Sequence, residues 1–185
     1  MKLRNKNLKI LKSNHVYSEE MEHDACGVGL VASTEGLKSR KVVEYGIDAL
    51  KAVWHRGAID ADGKTGDGAG IHIEIPKDFF EEKIEVTGHK HDNSELCVGM
   101  IFLPRNDYSA QEQCRTIVES ELTKRNFSIY GWRQVPVDPS VLGEKAEQTR
   151  PEITQVLFTY NDKKVVNKSL EQKLYETRRV IEKEA

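Results

Sequence analysis

The chain has 185 residues, 38% of them apolar and 31% charged, with a formal net charge of −2. That length supplies one domain with a real core, and the near-neutral balance offers no basic field for nucleic acid. No apolar run approaches the ~20 residues of a membrane span, and three cysteines without a CxxC element argue for free thiols in a reducing compartment, hence a cytoplasmic-type protein.

Residues 1–25 read as an appendage with sparse, irregular apolar positions. They contain no apolar h-region and so are not a secretory signal. A plastid location stays open, although Glu19, Glu20, Glu22 and Asp24 are the wrong composition for a transit peptide. An apolar segment starts abruptly at Cys26 and predicts a buried strand weakened by Gly27 and Gly29. Helical spacing of Val42, Val43, Ile47, Leu50 and Val53 predicts a helix over 39–54 with Ser39 as N-cap. A glycine-rich loop follows from Gly57 to Gly70, and the alternation of Ile71, Ile73 and Ile75 predicts a half-exposed strand ended by Pro76.

Pro76 can open a short helix carrying Phe79 and Phe80, followed by a polar loop over 81–94. The spacing then predicts a strand over 96–103, a helix over 108–125, a strand over 127–137, a strand over 153–160 and a helix over 169–184. Several strands and three good helices make a sheet covered by helices. The last helix runs to the final residue, which suggests a truncated chain.

Three short motifs carry the chemistry. Cys26-Gly27-Val28-Gly29 places a thiol where glycine lets a substrate approach the backbone; alone, it reads more readily as a buried core cysteine than as a catalyst. His55-Arg56-Gly57-Ala58 follows a helix and would serve as an ordinary C-terminus with cations in the last turn. Thr65-Gly66-Asp67-Gly68-Ala69-Gly70 is a tight glycine loop. It is not a phosphate loop, because a helix precedes it, a strand is predicted after it and no Walker lysine is present. A metal reading built on His89, His91 and Cys97, with His23, lacks a clean fourth ligand. Cys97 and Cys114 fall on apolar faces as core residues.

Together the motifs are far more specific than any one of them. The chain resembles the glutaminase domain of the glutamate synthase large subunit, a class II glutamine amidotransferase. The resemblance rests on Asp24 through Gly29, on His55-Arg56-Gly57-Ala58, and on Asp62 through Gly70, continuing to Pro76 and Phe79-Phe80. It implies an α+β fold, the four-layer αββα sandwich of the N-terminal nucleophile hydrolases, incomplete here. It implies a leader of residues 1–25 and an amidotransferase segment of residues 26–185, with Cys26 becoming the first residue. Cys26 and Arg56 are then catalytic; Gly27, Gly57, Asp67 and Gly68 shape the substrate site. The expected substrate is L-glutamine, and the expected partners are a synthase domain further along the polypeptide and a small reductase subunit. FMN and an iron–sulfur cluster are implied for the full-length enzyme and no cofactor or metal for these residues.

The chain also departs from the family pattern. No Asn-Gly dipeptide, the family's oxyanion pair, occurs in it, and no Arg-aromatic-Ser-Thr-Asn stretch for the substrate carboxylate. These 185 residues are therefore expected to hold about half a glutaminase domain and to be inactive alone. The other reading left open is a catalytically silent amidotransferase-like binding or assembly module.

Overall fold

A computed structural model describes residues 27–53, 57, 59–66, 68–92, 94–162, 164 and 168–185. The chain divides into two compact units, Met1–Ala58 with Gly66–Ile71, and Ile59–Thr65 with His72–Ala185. The architecture is α+β with a small antiparallel sheet.

The described part of the first unit contains α1, Arg40–Ala52, in a frame of irregular backbone. Ser39 caps α1 as expected, its hydroxyl accepting from the Lys41 amide at 3.2 Å. Residues 27–32 are not the buried strand that their apolar content predicts: Val28 is 91% and Leu30 92% exposed. Gly27 and Gly29 weaken any extended preference, and a strand needs a neighbour to take its backbone hydrogen bonds. No described strand supplies one.

The second unit holds the sheet. Its elements are α2 (Lys77–Val86), β1 (Leu96–Leu103), α3 (Tyr108–Lys124), β2 (Phe127–Gln134), α4 (Glu144–Thr149), β3 (Glu152–Tyr160) and α5 (Lys168–Glu184). The strand order is β1-β3-β2, so β3 is central and antiparallel to both neighbours. That explains its near-continuous run of buried residues from Thr154 to Thr159, since both faces of a central strand are covered.

One face carries Cys97, Val156, Phe158 and Phe127 and is packed by Val118 and Leu122 of α3 and Leu170 of α5. Phe127 meets the rings of Phe158 and Tyr160 edge-on at 5.4 and 5.0 Å, a favoured aromatic geometry. The opposite face carries Leu96, Tyr130 and Leu157 and is packed by Phe80 and Ile84 of α2.

Three further differences from the periodicity have local causes. The helix opened by Pro76 runs on to Val86 rather than ending near Phe80, because Ile84 reaches the core one turn after Phe80 and is fully buried. The segment 71–76 is irregular; Ile71 and Ile73 are half exposed and only Ile75 packs on the core. The stretch between β2 and β3 contains a 3-10 turn at Pro139–Val141 and the six-residue α4, where only breaking prolines were legible.

Candidate functional site

Cys26, Arg56 and Asp67 lie outside the described residues, and so does His55. The described members of the expected site are Gly27, Gly57 and Gly68, all exposed and all in the first unit. Gly68 has φ +86° with open space around a notional Cβ. The backbone conformation, not crowding, demands glycine there. Gly27 and Gly57 lie in irregular backbone.

Helix α1 bears on the segment that follows the third motif. Helix α1 ends at the cap residue Val53, just before the His55-Arg56 pair in sequence. Ile71, which follows the glycine loop, places its Cδ1 3.1 Å from where a Cβ on Gly46 of α1 would stand. The absence of a side chain at Gly46 therefore lets the segment after the loop lie close against α1.

The turn that enters the third motif is built by carboxylates. Asp62 Oδ1 accepts from the backbone amides of Lys64 at 2.9 Å and Thr65 at 2.7 Å, and Oδ2 from the Thr65 hydroxyl at 2.5 Å. The Thr65 hydroxyl, then the two amides, hold the Asp62 carboxyl down at about 2. The backbone closes the same turn, with the Asp60 amide donating to Thr65 O at 2.8 Å and the Gly63 amide to Asp60 O at 2.9 Å. On its outer side Lys145 Nζ donates to Asp60 Oδ2 at 2.6 Å, and Gly143 lies against Asp62 and Thr65. Both come from the start of α4. Nothing in the periodicity marked them, because their contacts are with residues some eighty positions away.

Neither of the two described cysteines is exposed. Cys97 is buried in β1 and burial pushes its thiol up to about 12, so it stays protonated. Cys114 is half-buried on α3. His89 and His91 turn their rings edge-on to Tyr130, with centroids 6.2 and 5.8 Å away. His91 Nδ1 also sits 3.1 Å from Glu81 Oε1. Among the described residues no cluster of three or more His, Cys, Asp or Glu side chains is placed to hold a metal ion. Nor is any described helix long and apolar enough to cross a membrane.

Comparison with known proteins identifies the family. The profile of the class-II glutamine amidotransferases matches residues 26–185, beginning at Cys26 itself. The chain belongs to the class-II glutamine amidotransferases. This amidotransferase is 53% identical over 177 residues to the glutamate synthase [NADPH] large chain of Azospirillum brasilense, covering 96% of the chain and 12% of that relative. It is 37% identical over 177 residues to ferredoxin-dependent glutamate synthase 2, chloroplastic, of Arabidopsis thaliana, covering 94% of the chain and 11% of the relative. It is 37% identical over 155 residues to glutamate synthase [NADH] of Saccharomyces cerevisiae, covering 80% and 7%. The amidotransferase chain thus spans about an eighth, or less, of the length of these relatives.

Proposed function

We propose that this chain is the glutaminase segment of a glutamate synthase, with Cys26 as nucleophile. The observation that carries the reading is the family match that begins at Cys26, together with 53% identity to a glutamate synthase large chain over nearly the whole chain. Residues 1–25 are then a leader and residues 26–185 part of a four-layer αββα N-terminal nucleophile hydrolase domain.

The chemistry follows from a thiol and an amine on one residue. A cysteine thiol is mostly protonated at neutral pH, with a pKa near ~8.5, while a free α-amino group has a pKa near ~7.7–8.0. Once the Ala25–Cys26 bond is cut, that amine takes the thiol proton, directly or through a water. The sulfur attacks the side-chain amide carbon of L-glutamine. The tetrahedral adduct collapses, the C–N bond breaks, and the amine proton leaves with the nitrogen as ammonia. Water then adds to the thioester, the C–S bond breaks, and glutamate departs with the thiol restored. Arg56 supports the charge beside the nucleophile, Gly27 admits the substrate, and Gly57, Asp67 and Gly68 shape the edge of its site.

In the full-length protein the ammonia would convert 2-oxoglutarate to glutamate in a synthase domain, with a small reductase subunit as a further partner. FMN and an iron–sulfur cluster belong to that part. The described residues here do not fit a cluster, since they include two cysteines, Cys97 and Cys114, and no group of three or more side chains placed to hold a metal. The compartment consistent with this reading is the cytoplasm, with a plastid the alternative.

The test uses the full-length protein. N-terminal sequencing should find Cys26 as the first residue, and a diazo-ketone analogue of glutamine should alkylate it. Cys26→Ala should lower glutaminase turnover at least about a thousandfold, as loss of a nucleophile does elsewhere. A retained leader with an unlabelled Cys26 would instead mark a silent binding or assembly module.

A further inference from the structure

We propose that Gly143 and Lys145, at the start of α4, are positioning residues for Thr65, the first residue of the glycine-rich motif: they clamp the Asp60–Thr65 turn, which ends on it. The inference rests on the glutaminase reading for its functional consequence and on geometry for the clamp itself.

Gly143 has φ −76° and ψ 164°, an extended conformation open to any residue. Its backbone does not need glycine. What needs glycine is the close approach of the turn. A Cβ on Gly143 would stand 2.7 Å from the backbone nitrogen of Thr65 and would collide with Thr65 Oγ1 and Asp62 Oδ2. The Thr65 nitrogen is main chain, so it cannot give way without moving the turn.

Lys145 adds the second point of attachment, on Asp60 at 2.6 Å. The two contacts hold opposite ends of one six-residue turn. The side of the clamp that faces the sheet is itself fixed. Glu147 of α4 is gripped by Arg105, which lies just past β1, and by Arg150, which lies just before β3, with Arg150 Nε 2.9 Å from the carboxylate. The Glu147 amide also donates to Gly143 O at 2.9 Å. The strands therefore set α4, and α4 sets the position of Thr65.

On the glutaminase reading a loosened Thr65 weakens uniform binding of the substrate, which raises KM and leaves kcat. The experiment uses full-length protein carrying Gly143→Ala, Lys145→Met or Lys145→Arg. It measures glutaminase kcat and KM together with amide hydrogen exchange at Lys64 and Thr65. Gly143→Ala should raise KM for glutamine about tenfold and Lys145→Met several-fold, with kcat held within about threefold, because the reacting groups are untouched. Exchange at Thr65 should quicken about tenfold in both, and Lys145→Arg should restore both readouts. Lys145 is exposed, so Lys145→Met keeps the test valid even where Gly143→Ala fails to fold.

Unchanged exchange in Lys145→Met overturns the clamp. Faster exchange with unchanged KM overturns the positioning role. Cys26→Ala, run in parallel, separates the two ideas: full turnover there overturns the glutaminase reading, while exchange at Thr65 reports on the clamp independently.

Discussion

Asp62 shows how much one carboxylate can organise. It takes three hydrogen bonds from two successive residues, and they lower its pKa from 3.8 to about 2. A group whose pKa falls on folding contributes most above its unfolded value and loses that contribution as pH falls through the folded one. The turn should therefore hold above about pH 4 and loosen as pH falls towards about 2. A carboxyl-carbon NMR titration of Asp62 should give a midpoint near 2; one near 4 would mean that the three bonds do not persist in solution. Cys97 is the opposite case. Burial keeps its thiol neutral to about pH 12, so iodoacetamide at pH 8 should leave it unlabelled in the folded chain and modify it after urea unfolding. At this scale the sequence was readable wherever a residue belonged to a local motif. Cys26 became a candidate nucleophile through the blocks that follow it. Gly143 was not readable, because its reason for being glycine is a contact with Asp62 and Thr65, far away in the chain.

Elements were legible in proportion to how far their packing shows as periodicity. The strands at 96–103 and 152–160 and the helices at 108–124 and 168–184 match the expected spans to within a residue or so. Each buries a face, and the face imprints a period. The glycine-bearing segment from 27 and the alternating isoleucines of 71–75 failed because apolar content alone does not make a strand; a neighbour must accept the backbone bonds. Gly131 in β2 tests the converse. It sits where the register with β3 shifts, with φ 150°, and a Cβ there would come within 2.9 Å of Thr87 Cγ2. Gly131→Ala should destabilise the fold by about 1–3 kcal/mol, through backbone strain and the clash. Leu157→Ala, at a fully buried position of the central strand, should cost about 2–5 kcal/mol. Urea unfolding monitored at Trp132 checks both; equal stability of Gly131→Ala and the parent would show that the bulge tolerates a side chain.

At the scale of the whole molecule, a sheet covered by helices was within reach through periodicity, and the α+β class and the family through motif order. The proposed enzyme is larger than this chain, which covers 12% of its Azospirillum relative. If the proposed glutaminase reading holds, the nucleophile's base is created by cleavage, so a full-length protein in which the Ala25–Cys26 bond is left intact should have at most about a thousandth of normal glutaminase turnover. Full turnover from an intact leader would show that some other base serves the thiol.

The Lys145–Asp60 pair joins residues 85 positions apart. Closing a loop of that length from an open chain costs about 4 kcal/mol in entropy, whereas a solvent-exposed ion pair returns at most about 1 kcal/mol. The pair cannot close that loop unaided. Pairing of β1 with β3 and packing of α2 on the sheet leave only the segments 61–76 and 146–151 to be closed, which lowers that cost. The clamp thus depends on the assembled sheet behind it: the contact that orders Thr65 is one that the open chain could not hold by itself.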